Sequence, residues 1–353
     1  MGTIRKNIID GQVDEFKKAD LLREYAYFAS VAPQSLMSKL GLGKNKEQGD
    51  SGKNPFKSCL MTLLTPLWIC LFIVSIPILI IVAIIRSMTQ NPEYKNYNFS
   101  EKIVEPTLRL FDDELTFGFN FDPSEVADGV EDYNQALVEA RLVKPFGGYC
   151  RTSSNNNLSY RWDDKTDTDS FEATTYRLYD EWDDDDGGSH ETVYFNGAIY
   201  KFHLSYSVNG SVNIMSTKTK KNILGMDKEK NQFKKIKDRK EVVINTGNQA
   251  FDESFDTVAT YNEEAFKFLT PSMIETLLEL RNNYFFSICI KDNVLTVAID
   301  EKPYGKASHF AISKVKPYSA PKDPAADLED RITLVRNYLT SIYELKDRLD
   351  PIR

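Results

Sequence analysis

The chain has 353 residues, of which 41% are hydrophobic and 27% are charged, and its 44 basic and 52 acidic residues give a formal net charge of −8. This composition excludes a collagen, a low-complexity disordered chain and a small disulfide-stapled protein, and the length predicts one or two domains. The charge is uneven, since residues 1–57 carry +3, residues 58–85 carry none and residues 86–353 carry −11.

The first 57 residues are predicted to form a helical segment and a linker. Residues 13–40 place apolar side chains at helical spacing beside charged ones, which predicts an amphipathic helix. Residues 44–54 are rich in Gly, Asn and Lys, a composition typical of a flexible linker. The helix is either solvated or lies on lipid headgroups, and both interpretations stay open.

Residues 58–86 are predicted to be a membrane segment. From Ser58 to Ile85 there are 28 consecutive residues without a charge, bracketed by Lys57 and Arg86. A helix of that length spans about 42 Å, and a bilayer needs roughly 20 such residues, so one kinked transmembrane helix is expected. Two passes would need roughly 40 residues, which favours a single pass.

The sequence gives a weaker signal for the side of the membrane on which the C-terminal part lies. Five lysines precede the run within twenty residues and three basic residues follow it, which favours an internal N-terminus and an external C-terminal part. Only Cys150 and Cys289 lie outside the run, and one pair is no disulfide framework.

Residues 95–315 are predicted to be a mixed α+β domain with a largely antiparallel sheet. Helices are expected at 99–110, 124–142 and 271–280, the last with Thr270 as its N-cap. Strands are expected at 115–121 and 174–179. Hairpins are expected about Asn196-Gly197 and Asp292-Asn293, and a further turn at Asn209-Gly210.

The C-terminal residues 323–353 are predicted to form an amphipathic helix. Seven apolar residues recur there at spacings of three and four, namely Leu328, Ile332, Val335, Leu339, Ile342, Leu345 and Leu349. This seam fits either packing onto the protein's own sheet or self-association through a short coiled coil.

An acidic block covers residues 163–191, with 12 acidic and two basic residues. Its run of Asp183, Asp184, Asp185 and Asp186 is the candidate metal site, because hard cations such as calcium prefer carboxylate oxygens. The spacing matches no EF-hand, and a solvated acidic loop is the simpler interpretation. No cofactor is predicted.

A basic block covers residues 218–240, with 10 basic and three acidic residues. It could meet anionic lipid headgroups or phosphates, or be a solvated loop that offsets the acidic block. Phe233 is its one aromatic residue, so the stacking surface of a single-strand nucleic-acid binder is missing. The candidate residues for lipid or anion contact are Lys220, Lys221, Lys234, Lys235 and Lys237.

No catalytic arrangement is recognised in the sequence. The three histidines, His190, His203 and His309, have no metal-ligand spacing, and neither a nucleophile elbow nor a phosphate-binding glycine loop is present. His203 lies in a strand pattern and is interpreted as structural.

Residues 248–280 carry a resemblance to a known family. Phe251 and Phe255 form an F-x-x-x-F pattern, Leu269-Thr270-Pro271 opens a helix, and Met273 lies near its start. Together with Phe195-Asn196-Gly197, these features resemble an uncharacterised bacterial membrane-anchored family, domain of unknown function 3137. The resemblance is patchy over residues 95–300, and the block at Ala265–Phe268 departs from the family pattern.

This resemblance implies a membrane-tethered bacterial α+β domain and supplies no catalytic residues. Family members often look like two-pass proteins with a cytoplasmic domain, so the implied side conflicts with the lysine count. The family architecture favours a cytoplasmic location for the α+β domain.

The sequence therefore predicts a cell-membrane protein that is non-enzymatic and docks a protein partner or a lipid surface. The alternative is a membrane-bound hydrolase or divalent-cation enzyme that uses the acidic loop.

Overall fold

The computed structural model describes residues 3–32, 92–121, 151–183, 189–217, 219–221, 227–229, 241–300 and 321–350. Several predicted segments lie outside this part of the chain: the membrane segment 58–86, the linker 44–54 and the helix at 124–142. No helix within the described ranges is long and apolar enough to cross a bilayer.

Helices and strands alternate irregularly along the chain. The helices are α1 (Thr3–Asp10), α2 (Glu15–Val31), α3 (Pro92–Asn96), α4 (Glu105–Arg109), α5 (Gln249–Ser254), α6 (Asn262–Phe268), α7 (Pro271–Asn283) and α8 (Pro324–Leu349), and a π-helical turn at Ser100–Val104 precedes α4. The strands are β1 (Leu115–Phe121), β2 (Arg151–Tyr160), β3 (Phe171–Asp183), β4 (Ser189–Ser216), β5 (Thr219–Lys221), β6 (Asp227–Glu229), β7 (Val242–Val243), β8 (Phe255–Ala259) and β9 (Phe285–Asp300).

One antiparallel sheet of seven strands organises the molecule. Its order is β1-β2-β3-β4-β8-β7, and β9 pairs with the other edge of β4. The strand β4 is 28 residues long, so it is bordered on one edge by β3 and then by β8, and by β9 along most of the other edge. The predicted α+β class with a largely antiparallel sheet is confirmed.

The hairpin predicted at Asn196-Gly197 is wrong, because β4 continues straight through these residues. Asn196 pairs with Arg177 and Gly197 pairs with Tyr176 on β3. Glycine is required there for another reason. A Cβ atom on Gly197 would lie 1.9 Å from the carbonyl oxygen of Ile299 on β9. The residue marks a close approach of two strands and no turn.

The hairpin predicted at Asp292-Asn293 is also wrong, since β9 is one strand of 16 residues. Asp292 has a φ of +54°, and it faces a part of β4 where the register shifts twice between His203 and Ser211. Gly210 lies at the end of that irregularity with a φ of +79°. The two turn signals therefore mark a bulged region of a long strand pair.

One face of the C-terminal helix α8 packs into the core. All seven residues of its predicted seam are at most 8% exposed within the single chain. The helix contacts α1, α2, α4 and α7, and the ring of Tyr343 packs edge-on against Phe171 of the sheet at 5.6 Å. Packing within the chain thus accounts for the seam, whereas self-association of this helix stays a prediction.

The N-terminal helices belong to the same core. Ile4 of α1 and both Tyr25 and Phe28 of α2 are fully buried, in one cluster with residues of the sheet and of α8. Asp14 caps α2 by accepting hydrogen bonds from the amides of Phe16 and Lys17, at 3.0 and 3.1 Å. The part of the predicted helix that the structure describes is confirmed, and it ends at Val31.

Candidate functional site

The two chain ends that flank residues 33–91 meet on the folded body. The end of α2 packs against α3 and the turn that follows it, through six aromatic residues that we call the aromatic junction: Tyr25, Tyr27, Phe28, Tyr94, Tyr97 and Phe99. The segment that contains the uncharged run therefore starts and finishes at one place.

Phe28 is the centre of the aromatic junction. Its ring centroid lies 4.8 Å from that of Phe99, 5.1 Å from Tyr97 and 5.9 Å from Tyr94. These distances and the tilted or edge-on geometry are those of favourable aromatic pairs, each contributing about 1 kcal/mol beyond burial. Rings from both flanks of the segment contact Phe28 directly, so this side chain joins both chain ends.

Polar groups tie the rim of the junction together. The hydroxyl of Tyr97 donates to Glu24 at 2.8 Å, and the ammonium of Lys102 lies 3.5 Å from the same carboxylate. The hydroxyl of Tyr27 donates to Glu93 at 3.5 Å. Burial raises the pKa of Tyr97 far above its ordinary value, and the hydrogen bond to Glu24 raises it further.

A second set of contacts joins the junction to α8. The hydroxyl of Tyr25 donates to Asp327, and Arg331 donates through Nε to both groups at 2.8 Å. The Arg331 guanidinium also lies 5.1 Å from the ring centroid of Phe99. Burial, followed by the hydrogen bond to Asp327, raises the pKa of Tyr25.

The chemistry of the junction suits an interface more than a reaction. The hydroxyls of Tyr25 and Tyr97 are both held by carboxylates, those of Asp327 and Glu24, so they fix the packing of the rings. Tyrosine rings with one polar end are enriched where proteins meet the headgroup region of a membrane. Tyr27 is 47% exposed, and it lies five residues before Ala32, the last residue that is described before segment 33–91.

An open groove of about 610 Å³ runs between α2 and the segment from Glu101 to Asp113. Leu21 and Pro106 provide apolar surface, and the remaining lining side chains are charged, five acidic and three basic. Because these charges have both signs and are solvated, they do not form a set of polar groups that converges on one ligand.

A smaller cavity of about 340 Å³ lies at the bulged region of β4 and β9. Asn213 and Cys289 face each other across the two strands there and are nearly fully buried. The side-chain oxygen of Asn213 has no hydrogen-bond partner among the described residues. Its amide oxygen is also shielded from the cavity's solvent, so no ligand contact is indicated.

A buried charged cluster lies beneath the C-terminal end of α8. Lys346 is fully buried, and its ammonium has no hydrogen-bond partner in the described part of the chain. Burial lowers the pKa of Lys346, whereas the nearby carboxylates of Asp169 and Asp350 oppose this shift. The guanidinium of Arg5 lies 3.6 Å from Asp169, so the cluster joins α1 to the loop before β3.

The acidic candidates lie at the connection between β3 and β4. Asp183 is the last residue of β3 and pairs with Ser189 of β4. Asp184, Asp185 and Asp186 are outside the described residues, so metal binding there stays a prediction. Across the described ranges, no group of three or more His, Cys, Asp or Glu side chains could hold a metal ion.

The basic candidates are only partly described. Lys220 and Lys221 belong to β5, where they pair with Lys228 and Asp227 of β6. Lys234, Lys235 and Lys237 lie outside the described residues. Lipid or anion contact by these lysines therefore stays a prediction.

The histidine in the strand pattern is held by packing. His203 is 2% exposed, its ring stacks on Trp162 with 4.2 Å between centroids, and Nε2 lies 3.1 Å from the Trp162 carbonyl oxygen. These contacts fit the structural interpretation.

Sequence reasoning missed the aromatic junction. A signal was present, since residues 25–28 read YAYF and residues 94–99 read YKNYNF, so both flanks of the segment are rich in aromatic residues. Local patterns do not show that two such stretches, separated by 65 residues, pack on each other.

Comparison with known proteins confirms the resemblance found in the sequence. Residues 193–342 match the family described as Protein of unknown function (DUF3137). The match runs from β4 into α8. A solved structure, the crystal structure of the mycobacterial trehalose monomycolate transport factor A (TtfA), is similar at 8% identity with a TM-score of 0.28, covering 67% of this chain and 89% of that chain. No curated protein sequence matches the chain.

Proposed function

We propose that this chain is a membrane-anchored interaction protein whose folded body docks a protein partner or a lipid surface. The observation that carries the proposal is the position of the uncharged run 58–85. The described residues on both sides of it share one core, and the run is bounded by two chain ends that meet at the aromatic junction. A run of 28 uncharged residues fits the apolar interior of a bilayer.

The β3–β4 ribbon supports the docking part of the proposal. Among the described strand pairings, β3 residues after Tyr179 pair only with β4, and β4 residues before Gly197 pair only with β3. Within the described residues, the ribbon therefore extends past the paired parts of β2 and β9, and it leads into the aspartate run of a block with a charge of −10. An acidic ribbon suits a basic partner surface through long-range attraction.

Alkaline extraction of membranes tests the anchor. We expect the full chain to stay in the membrane fraction, and a Leu71→Asp, Ile80→Asp double variant to shift to the soluble fraction, because each charge at the bilayer centre costs about 3 kcal/mol. Leu334→Asp is the control, since this leucine is 54% exposed on α8. Recovery of the unmodified chain in the soluble fraction would contradict the proposal.

Vesicle capture separates the two docking surfaces. The full chain is placed in nanodiscs of neutral lipid and mixed with anionic vesicles. If lipid is the partner, capture falls with salt and is lost when the five candidate lysines become glutamate. Absence of capture assigns the docking role to a protein partner. Measurable turnover of the purified full chain on a panel of small-molecule substrates would contradict a non-enzymatic role.

A further inference from the structure

The dipeptide Asn209-Gly210 lies in the bulged region of β4. We propose that Asn209 deamidates spontaneously there, through a succinimide ring formed with the Gly210 amide, and that the carboxylate this produces repels Glu264 and loosens α6 on the sheet. Asn209 is then a site of covalent modification whose product weakens one contact of the folded body.

The sequence contains two Asn-Gly dipeptides, at residues 196–197 and 209–210. Glycine has no Cβ atom, so it does not hinder the attack of its own amide nitrogen on the preceding side chain. The attack also needs local freedom of the backbone. The fold places the two dipeptides in different surroundings.

The dipeptide Asn196-Gly197 is held on both edges of β4. Asn196 pairs with Arg177 of β3, and Gly197 pairs with Tyr176 of β3 and with Asp300 of β9. Gly197 is also buried, and the backbone of β9 approaches it too closely to leave room for a side chain. The chain there cannot fold onto itself to form a ring unless the strands first separate.

The dipeptide Asn209-Gly210 has no such restraint among the described strand pairings. The register passes from Val208 to Ser211 on β4 while it advances by one residue on β9, so Asn209 and Gly210 are the extra residues of a bulge. On the other edge, β8 pairs with β4 only beyond this point. Both residues are exposed, and Gly210 lines the cavity of about 340 Å³, so water reaches the dipeptide.

The reaction needs only water and hydroxide. The Gly210 nitrogen gives its proton to hydroxide and bonds to Cγ of Asn209. The bond between Cγ and Nδ2 breaks, and Nδ2 leaves as ammonia with a proton taken from water. Water then adds to either carbonyl carbon of the ring and breaks its bond to nitrogen, which gives aspartate or isoaspartate. Both products carry a carboxylate in place of the amide.

The new carboxylate faces a buried carboxylate of α6. Nδ2 of Asn209 donates a long hydrogen bond of 3.4 Å to Oε1 of Glu264. Glu264 is 5% exposed, and its Oε2 has no hydrogen-bond partner in the described part of the chain. The hydrogen bond from Lys267, at 2.7 Å, lowers the pKa of Glu264, so this carboxylate stays charged. Deamidation therefore replaces a donor by a like charge, at the place where α6 contacts β4.

Peptide mapping by mass spectrometry tests the modification. The folded full chain is kept in detergent at mildly alkaline pH, and the loss of ammonia and gain of water are measured at positions 196 and 209. We expect Asn209 to react about tenfold faster than Asn196 or more, because Asn196 must first be released from its strand pairing. In the chain unfolded by urea, we expect similar rates, since both asparagines precede glycine.

Two outcomes of this mapping would overturn the proposed modification. One is a reaction in the folded chain that is equally fast at both positions, or faster at Asn196. The other is a preference for Asn209 that is just as large in urea, because the bulge would then not be its cause.

Hydrogen exchange tests the loosening of α6. Asn209→Asp introduces the carboxylate of one product, and Asn209→Gln is the uncharged control. We expect the α6 amides to exchange about threefold faster in Asn209→Asp than in the control, or more, because the two carboxylates repel each other. In a Glu264→Gln background the two variants should exchange alike. An effect of Asn209→Asp that persists in that background, or no effect in the original one, would contradict the repulsion.

Discussion

At the scale of single residues, the close approach at Gly197 sets a sharp steric limit. Replacing it by alanine puts a Cβ atom 1.9 Å from the Ile299 carbonyl oxygen, so β4 and β9 must move apart. We expect Gly197→Ala to lower the free energy of unfolding by about 3 kcal/mol, measured by urea denaturation of the full chain in detergent.

Gly247→Ala is the matched control for this substitution. Gly247 has a φ of +75°, and a Cβ atom added there would meet no other atom within 4 Å. Alanine at this position therefore introduces backbone strain without a steric clash. We expect a loss of about 1 kcal/mol. Equal losses at the two glycines would show that the contact with β9 does not limit position 197.

The buried Lys346 gives a prediction about pH. Burial lowers its pKa in the folded state below the ordinary value of 10.5, against the raising effect of the Asp169, Asp350 and Asp167 carboxylates and with a smaller lowering by Arg5. Between the two pKa values the unfolded chain binds more protons, so this group makes the free energy of unfolding rise with pH.

Urea denaturation at about pH 7 and about pH 9.5 measures this contribution. We expect the increase in stability over this range to be smaller in Lys346→Met, which keeps an unbranched side chain, one atom shorter, and removes the charge. The upper pH is chosen below the pKa of tyrosine in the unfolded chain. Above that pH, buried tyrosines with raised pKa values lower the free energy of unfolding and would mask the effect of Lys346. An unchanged pH dependence in the variant would contradict the assignment.

At the scale of elements, Phe28 joins α2 to α3 and to the turn that follows α3, through the aromatic junction. We expect Phe28→Ala to cost about 4 kcal/mol, because it removes a fully buried ring and its aromatic contacts. Phe16→Ala on the same helix should change stability by less than about 0.5 kcal/mol, since that ring is 89% exposed. Chemical denaturation compares the two. Similar losses would mean that α2 does not pack as described.

The helix α8 offers a second matched pair. Leu339 is fully buried in the seam, whereas Leu334 is 54% exposed. We expect Leu339→Ala to cost about 3 kcal/mol and Leu334→Ala less than about 0.5 kcal/mol. If the seam instead joined two copies, Leu339→Ala would reduce the oligomer mass in sedimentation without lowering the stability of each chain.

Elements with strong local signals were predictable from sequence, and long-range contacts were not. The seam of α8 and the cap of α7 were readable, and the Thr270 hydroxyl does accept from the Met273 amide at 3.3 Å. The hairpin errors arose because Asn-Gly and Asp-Asn are local turn signals. The actual constraint on Gly197 comes from Ile299, more than 100 residues later. The aromatic junction escaped for the same reason, since its two halves are distant in sequence.

At the scale of the whole molecule, ion pairs join the N-terminal helices to later elements of the chain. Two of these pairs place a lysine of α2 beside a carboxylate of a later part of the chain. Lys17 lies 2.6 Å from Asp113, and Lys18 lies 2.6 Å from Glu329 on α8. Such exposed pairs contribute little stability individually, about 0.5 kcal/mol or less. Together with the contact of Arg5 with Asp169, they join the N-terminal helices to the body.

One core shared by α1, α2, the sheet and α8 predicts one cooperative unit. In hydrogen exchange of the full chain in detergent, we expect the slowest amides of α2 to open with the same free energy as those of β4 and α8, because each needs global unfolding. Phe28→Ala should then lower protection in all three elements by equal amounts. If α2 instead exchanged at a lower free energy while β4 and α8 kept theirs, the N-terminal helices would be a separate folding unit. They could then leave the body without unfolding it.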